Sequence, residues 1–433
     1  MWSDRPSPER LRELVARLHS ALPGPSCWPS AVTVKTSLEP GFAVLGGNQY
    51  FHAPLATMTY WGGYGVVSGP QGTIELPASG FDLLQAMLEA WQGAQDAILV
   101  GFLSYDLAAE LEDLGPSPAT DFKFPKFYFG LFPSRANGWS DRDSDARELT
   151  FTPGPLRSRP DRAAFEAAVA RTVARIQAGE IFQTNLCRSI DAPLQRGMEW
   201  DLYHRMRTIS PARYEAFLRI DDQRSVFSIS PELFLKLEGG IVESAPIKGT
   251  RPRGCSPEED RRLLTELHSS EKDRAELAMI VDVVRNDLGR ACRTGSVQVV
   301  QHAESMSLPT VHHLFSTVKG SLREDAGIVD LLRAAFPAAS ISGAPKIEAM
   351  RVAMREEGQW RGPCMGAIGW ISLDGRMELS VAIRTAFVAD DRVRYYAGCG
   401  ITSDSIPSAE FEESRHKAAA FVRALGKEQD PNW

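Results

Sequence analysis

The sequence predicts an α+β fold in which layered sheets pack with helices. The runs "AILVGFLSYDL" and "KFYFGLF" are rich in branched and aromatic residues, which is typical of strands. Further along, "LFLKL" and "GIVESA" flank Glu238-Gly239-Gly240, a sequence that favours a hairpin. A helix is predicted between Asp161, a suitable N-cap, and Gly179. Its apolar face carries Phe165, Val169, Val173 and Ile176. Hairpins mixed with helices are typical of an α+β protein.

The remaining elements follow the same signals along the chain. An amphipathic helix is predicted to begin near Ser7, with a proline early in its first turn. The segments "FQTNLCRSI" and "SVFSIS" are strand-like. One long helical pattern runs from about Pro257 to Cys292, and "FPAASISGAPKIEAM" is a strand or loop that turns into a helix. The last helix is predicted to have Ser405 as its N-cap and Pro407 in its first turn.

Composition and charge exclude several classes of protein. The chain of 433 residues is long enough for two or three average domains or one composite fold. A net charge of -7 argues against a general nucleic-acid binder, although a local cationic pocket for a small anion remains compatible with it. The six cysteines form no metal-ligand spacing. The charged N-terminus and the lack of an apolar run of ~20 residues predict a cytoplasmic protein without a membrane partner.

The clearest break in the pattern is a polar segment rich in proline and glycine, from Ser134 to Pro160. We therefore expect an N-terminal half in residues 1–133, a linker at 134–160 and a C-terminal region at 161–425. The two halves are expected to pack closely, each presenting a sheet to the other.

The first candidate for chemistry is a carboxylate pair in "EKDRAELAMIVDVVRNDLGR". Asp273 and Glu276 are three residues apart and share a helix face that continues through Ile280 and Val283. A carboxylate on a core-facing stripe must be paired, protonated or bound to a metal. A solvated helix edge explains the same pattern, so the helix alone leaves both interpretations open.

A second helix offers a similar set. Glu410, Glu413 and Lys417 in "AEFEESRHKA" are spaced three and four apart and share one face. Taken alone, they match an ordinary surface ladder of Glu and Lys. Two helices that each present a carboxylate pair can also face one another across a hard cation, and Mg²⁺ is commonly held in this way.

Three other segments carry unusual residues. In "ESAPIKGTRPRG", Lys248 stands close to two arginines, which repel it unless the turn is solvated or an anion lies among them. In "YYAGCGITSDS", Gly398 and Gly400 precede the last helix and are compatible either with an anion site or with a tight turn. Cys399 between them is interpreted as a packed thiol. Arg384 in "MELSVAIRTAFV" is predicted to lie in an apolar strand, where it needs an anion.

Together these segments resemble the chorismate-utilising enzymes, which include anthranilate synthase, aminodeoxychorismate synthase, isochorismate synthase and salicylate synthase. The resemblance is strong from about Asp161 to Val422 and looser before it, where "GFLSYDL" and "FPKFYFGLF" carry it. It implies a large layered sandwich with two facing sheets and outer helices, like anthranilate synthase component I, with the catalytic region in residues 161–425. The ordered motifs are "IFQTNLCR", "SPELFL", "PIKGTRPRG", "DRAELAMIVDVVRNDLGR", "FPAASISGAPK", "GAIGW", "IRTAF", "AGCGITSDS" and "AEFEESRHKA".

The resemblance implies a role for each matched residue. Glu276 and Glu413 match the family's Mg²⁺ carboxylates, with Asp273 and Glu410 as their neighbours. The positions implied to contact chorismate are Lys417, Gly398 and Gly400 near the ring carboxylate, Arg384 at the enolpyruvyl carboxylate, and His313, Gln183, Asn185 and Ser340 in the pocket. Glu232 matches the general acid that protonates the departing C4 hydroxyl.

Lys248 decides between members of the family. Anthranilate synthases resemble "PIAGTRPRG" here, whereas aminodeoxychorismate synthases resemble "PIKGT", in which the lysine amine attacks C2 before ammonia attacks C4. A nearby Arg251 and Arg253 would lower the pKa of this lysine if they faced the pocket. Ser340 also resembles aminodeoxychorismate synthases. Gln183 stands where isochorismate synthases have a water-activating lysine.

The resemblance thus predicts that chorismate and ammonia are converted to 4-amino-4-deoxychorismate, on the route to 4-aminobenzoate. It implies a separate glutamine amidotransferase subunit as the source of ammonia. Anthranilate synthase and a non-catalytic scaffold for an amidotransferase are the alternatives. Three residues depart from the family pattern and leave the packing near the enolpyruvyl arm open: Leu277, Cys364 and Trp370.

Overall fold

The computed structural model describes residues 6–21, 41–46, 49–92, 97–134 and 154–430. The helices are α1 (Pro8–Ala21), α2 (Gly80–Ala90), α3 (Arg162–Gln177), α4 (Glu199–Ile209), α5 (Pro257–Ser269), α6 (Glu271–Gly289), α7 (Ile328–Ala335), α8 (Lys346–Glu357) and α9 (Pro407–Ala424).

The strands are β1 (Ala43–Leu45), β2 (Gln49–Phe51), β3 (Ala56–Tyr60), β4 (Tyr64–Gly69), β5 (Gly72–Pro77), β6 (Ala97–Leu103), β7 (Phe127–Pro133), β8 (Arg157–Arg159), β9 (Gln183–Pro193), β10 (Tyr214–Arg219), β11 (Ser225–Ser230), β12 (Leu233–Glu238), β13 (Ile241–Ala245), β14 (Ile247–Pro252), β15 (Gln298–Ser307), β16 (Val311–Ser321), β17 (Gly343–Ala344), β18 (Ala367–Ser372), β19 (Met377–Val381), β20 (Thr385–Ala389) and β21 (Arg392–Ile401).

These strands form two antiparallel sheets, and this confirms the predicted α+β class. Sheet I has the order β17-β9-β21-β20-β11-β10-β1-β2, with β8 beside β9. Sheet II has the order β14-β16-β13-β12-β19-β18-β6-β7-β3-β4-β5, with β15 beside β16. Side chains from both sheets share one apolar core. Phe51 of sheet I lies 5.5 Å from Phe132 of sheet II between ring centroids, so the sheets face each other there.

The sheets do not divide at the predicted boundary. Sheet I takes β1 and β2 from the N-terminal side, and sheet II takes β3 to β7 from it, so each sheet contains strands from both sides of the boundary. The expectation of one sheet per half is therefore wrong. Most of the expected linker lies outside the described residues, and at its end Arg157–Arg159 forms β8, which pairs with β9.

Two of the crossings between the sheets lie next to each other, and both carry candidate residues. Pro231 and Glu232 connect β11 of sheet I to β12 of sheet II. Ala382 to Arg384 connect β19 of sheet II to β20 of sheet I. The crossings are tied together, because the Val381 amide donates to the Glu232 carbonyl at 3.0 Å.

Arg384 is therefore not in a strand, which corrects the sequence interpretation. It occupies the crossing with a φ of 50°, a left-handed conformation that is rare for a residue with a side chain. The Ile229 amide donates to the Arg384 carbonyl at 3.1 Å and ties this residue to β11.

Two helix boundaries also differ from expectation. The long pattern from 257 to 292 is two helices, since Ser270 is extended and its hydroxyl accepts from the Asp273 amide at the start of α6. Ser405 does not cap α9, which begins after Ile406. The Ser405 hydroxyl instead donates to the Glu410 carboxylate at 2.6 Å. No helix in the described parts of the chain combines the length and the apolar character needed to cross a membrane.

Candidate active site

The candidate site lies between the sheets, where β14, α6, β9 and β21 meet. Lys248 is positioned by an irregularity in β14: the register against β16 shifts between Lys248 and Thr250, and Gly249 has a φ of 72°. A side chain at Gly249 would also lie only 3.0 Å from the Asp273 Cβ. The Lys248 Nζ lies 2.8 Å from the Glu276 Oε1, and both side chains are largely buried, at 13% and 16% exposure.

Glu276 is the centre of this arrangement. The Gln183 side-chain amide on β9 donates to the same carboxylate oxygen that Lys248 contacts. Burial raises the pKa of Glu276, but Lys248, Gln183 and Lys417 together outweigh it and hold the pKa below its usual range. The carboxylate is therefore ionised at neutral pH. The Gln183 Oε1 is buried and has no partner among the described residues.

The two glycines of β21 leave a slot beside these groups. A Cβ at Gly400 would lie 2.6 Å from the Gln183 Nε2, 2.8 Å from the Glu276 Oε1 and 3.4 Å from the Lys248 Nζ. A Cβ at Gly398 would lie 2.5 Å from the Cys187 Sγ and 2.9 Å from the Asn185 Nδ2. Only glycine fits at either position without displacing these groups, so the open backbone of β21 forms the wall of the site.

Helix α9 contributes a second lysine–carboxylate pair. The Lys417 Nζ lies 2.8 Å from the Glu413 Oε1, and both side chains are about half-exposed. The same amine donates to the Gly398 carbonyl at 2.9 Å. Partial burial raises the pKa of Glu413, but Lys417 outweighs it and the pKa is lowered overall, while the nearby charge of Glu276 acts in the opposite direction. The charge of Glu276 thus affects the pKa of Glu413 across the site.

The other two predicted metal neighbours face different partners. Asp273 pairs with Arg251 at 3.1 Å. Glu410 is buried beneath Ser405, and burial raises its pKa. Among the described residues, Cys399, Glu410 and Glu413 place possible ligand atoms within 4.8 Å of one another. Burial raises the pKa of the Cys399 thiol well above its usual range, which supports its interpretation as a packed side chain.

The donor set suits a hard divalent cation. Glu276 and Glu413 offer ionised carboxylates, and the unpartnered Gln183 Oε1 adds a neutral oxygen beside them. An ammonium group is paired with each of the two carboxylates, so both carboxylates bind positive charge in this structure. The residues present therefore fit Mg²⁺ through Glu276 and Glu413.

Glu232 lies in the first crossing and is the buried acid of the site. Its side chain is almost completely enclosed, at 4% exposure. Burial raises its pKa to about 7, against the opposing effects of the Ser340 hydroxyl and the Lys248 charge. Glu232 and Ser340 also line a small cavity of about 10 Å³, which is about the room that one water molecule needs. A carboxyl group with this pKa can both give and take a proton near neutral pH.

Arg384 is the cation of the pocket, and the His313 ring lies beside it. The Arg384 guanidinium donates to the His313 Nε2 at 3.4 Å and to the Ser210 hydroxyl at 3.3 Å. The His313 Nδ1 faces the Gly249 carbonyl at 3.3 Å, so it carries the proton. Burial and the Arg384 charge lower the pKa of His313 to about 4, so the ring is neutral. In the described part of the chain, no carboxylate pairs with Arg384, which leaves it available to an anion.

Several expectations about neighbouring residues need correction or addition. Two nitrogens of Arg253 donate to Asp260, and Arg251 pairs with Asp273, so neither arginine stands free beside Lys248. Sequence reasoning missed Ser210, because nothing near it in sequence marks it as a neighbour of Arg384.

The three residues that depart from the family pattern all lie in or against the core. Leu277 is fully buried in the apolar core. Cys364 is buried and donates to the Thr385 carbonyl at 3.2 Å, and Trp370 packs against the core from its edge.

The chain is similar to several known proteins. The chain is 44% identical to anthranilate synthase component 1 of Streptomyces coelicolor over 263 residues, 61% of this chain and 51% of that protein. It is 44% identical to aminodeoxychorismate synthase of Streptomyces griseus over 275 residues, 63% of this chain and 38% of that protein. The chain thus spans about half and about two fifths of their lengths.

A solved structure matches nearly the whole chain. Anthranilate synthase component I from Streptococcus pneumoniae superposes with a TM-score of 0.75 at 28% identity, covering 94% of this chain and 96% of that one. Residues 47–423 match the model of a family described as chorismate binding enzyme. The predicted family resemblance is confirmed, and the chain belongs to the chorismate binding enzyme family.

Proposed function

We propose that this chain converts chorismate and ammonia to 4-amino-4-deoxychorismate, as aminodeoxychorismate synthase component I. The observation that carries the proposal is the placement of Lys248. Its amine lies 2.8 Å from the Glu276 carboxylate and would be 3.4 Å from a Cβ at Gly400. The amine therefore borders the slot in which we place the ring carboxylate of chorismate. An amine at this position is a nucleophile within reach of a bound ring.

Chorismate carries two carboxylates, and the site offers two places for them. The ring carboxylate fits the slot along Gly398 and Gly400, near the carboxylates of Glu276 and Glu413 that would hold Mg²⁺. Mg²⁺ bound there supplies Lewis-acid stabilisation of charge on that carboxylate. The enolpyruvyl carboxylate fits Arg384, which is partly buried and has no carboxylate partner among the described residues.

The proposed reaction balances through Glu232 and Lys248. After the Lys248 ammonium group has given a proton to water, its amine forms a bond to C2. Both ring double bonds then shift, and the C4–O bond breaks as Glu232 gives its proton to the leaving hydroxyl. Ammonia next forms a bond to C4, both double bonds shift back, and the lysine leaves C2 as the free amine. The Glu232 carboxylate takes the proton that the new ammonium group loses, so one buried acid serves both steps.

Anthranilate synthase is the second candidate. It is supported by the identity to the Streptomyces coelicolor protein, which equals that to the Streptomyces griseus aminodeoxychorismate synthase. Lys248 favours the first candidate, because anthranilate formation requires ammonia itself at C2, where the lysine side chain takes up the space. A glutamine amidotransferase partner and a cytoplasmic location are part of the proposal.

Product analysis tests the choice. The chain is incubated with chorismate, Mg²⁺ and an ammonium salt, and the products are separated and identified by mass spectrometry. We expect 4-amino-4-deoxychorismate from the wild type and loss of most of it in Lys248→Ala. Anthranilate as the main wild-type product would establish the second candidate instead. Formation of 4-amino-4-deoxychorismate by Lys248→Ala at the wild-type rate would refute the nucleophile role.

A further inference from the structure

Both carboxylates that suit the cation are already occupied by lysines of the chain. The Lys248 Nζ lies 2.8 Å from Glu276, and the Lys417 Nζ lies 2.8 Å from Glu413. An ammonium group and a divalent cation bind the same carboxylate oxygens, so a cation that binds here must compete with these amines.

The charges of the four side chains cancel. Two ionised glutamates and two lysines give a net charge of zero, so the site offers a divalent cation little attraction before substrate binds. Addition of Mg²⁺ leaves two positive charges, and the ring carboxylate of the substrate supplies a negative charge beside them. Removal of one lysine would instead leave a net charge of -1 and attract a cation without substrate.

The two lysines are not equally held. Lys417 has a second acceptor, the Gly398 carbonyl at 2.9 Å, which keeps the amine in place if Glu413 turns away. Lys248 has Glu276 as its only ion-pair partner among the described residues, and Gln183 donates to the same oxygen. Lys248 can therefore leave its carboxylate with a smaller loss of interactions than Lys417. The slot at Gly400 lies next to its amine.

We infer that Lys248 is an internal competitor of the divalent cation, and that it leaves Glu276 when the cation binds. This inference rests on the proposed function for its consequence: the amine that leaves Glu276 is the one proposed to attack C2. Release of the nucleophile is then coupled to the joint arrival of cation and dicarboxylate. In their absence the ion pair keeps Lys248 directed at Glu276 and away from the ring position.

Binding of Mn²⁺ tests the competition without any turnover. Mn²⁺ affinity is measured by electron paramagnetic resonance for the full chain, without chorismate. We expect Lys248→Met to bind Mn²⁺ about ten-fold more tightly than the wild type, equivalent to about 1.4 kcal/mol. Glu276→Gln should bind it more weakly than the wild type. Lys319→Met is the matched control, since it removes a lysine from an exposed pair with Glu243 in sheet II, and it should leave the affinity unchanged.

Chemical modification gives a second readout in the unmutated protein. Lysines are labelled with a limiting amine-reactive reagent, and the modified peptides are quantified by mass spectrometry with and without Mg²⁺. We expect saturating Mg²⁺, at a concentration that overcomes its weak attraction to the neutral site, to raise the labelling of Lys248 several-fold and to leave that of Lys319 unchanged. Equal or weaker Mn²⁺ binding by a folded Lys248→Met, or labelling of Lys248 that Mg²⁺ does not raise, would overturn the inference. Anthranilate as the enzymatic product would refute the proposed function, while tighter Mn²⁺ binding by Lys248→Met would still establish the competition.

Discussion

Helix α6 carries two buried lysine–carboxylate pairs that differ in how completely the lysine is satisfied. Glu276 and Asp287 are eleven residues apart, about three turns, and lie on nearly the same face of the helix. Lys346 donates to Asp287 at 2.6 Å and to the carbonyls of Ala335 and Pro337 at 2.8 Å each, so all three of its protons are used. Lys248 has one described ion-pair partner, Glu276.

The difference is the one expected between a structural pair and the pair that we propose to be reactive. Lys346 joins α6 to the start of α8 and to the loop after α7, and no group can approach it without breaking three hydrogen bonds. Lys248 borders a slot kept open by Gly400 and retains donors for another partner. The residue types are the same in the two pairs, and the number of satisfied donors determines which lysine is available for chemistry.

The largest effect on turnover is expected from Glu276→Gln. It removes the charge that holds both Lys248 and the cation, so we expect chorismate consumption to fall by about 100-fold or more. The fall should be measured at saturating Mg²⁺ with the free energy of unfolding determined in parallel. Near-normal consumption in limiting Mg²⁺ would contradict the metal role of Glu276.

The largest effect on stability is expected from Lys346→Met. It leaves Asp287 buried without its cation, which costs about 3–5 kcal/mol in the free energy of unfolding. The double variant Lys346→Met/Asp287→Leu removes the uncompensated charge and should recover most of this loss, as measured by urea denaturation. If the double variant is no more stable than the single one, Lys346 acts mainly through its bonds to the two carbonyls.

The pH dependence of turnover should report Glu232. Its pKa is raised to about 7 by burial, and the proposed first step requires the protonated form. At low chorismate concentration, the ratio of the wild-type rate to that of Glu232→Gln should therefore be constant below pH 7 and fall as the pH rises through about 7, because every other titrating group is common to both proteins. Glu232→Gln should lose most activity below pH 7. A ratio that does not fall as the pH rises through 7 would exclude Glu232 as the acid.

The smallest effect is expected at the exposed pair of the same helix. Arg285 and Asp282 lie 2.8 Å apart with side chains 52% and 72% exposed. Arg285→Ala should change the free energy of unfolding by less than ~1 kcal/mol and leave turnover unchanged, because solvent screens such pairs. A larger loss of stability would show that exposure alone does not rank the ion pairs of α6.

The sequence by itself determined the class of the fold, the family and the identity of most candidate residues. Hydrophobic periodicity placed α3 and the β12–β13 hairpin correctly, because these signals are local. The carboxylates of α6 and α9 were identified from spacing and motif. Whether they were solvated ladders or a shared site could not be read from either helix, since that depends on what each helix faces.

Only the tertiary structure decided how those residues are arranged. Strands from both sides of the expected boundary mix in each sheet, and the crossings that carry Glu232 and Arg384 join strands of different sheets. The partners of Lys248 and Lys346 come from segments distant in the chain. No local pattern therefore reveals that Lys346 has three described acceptors whereas Lys248 has one described ion-pair partner. Burial and hydrogen bonding are set by such distant contacts, and they separate the lysine that holds the fold together from the one available to react.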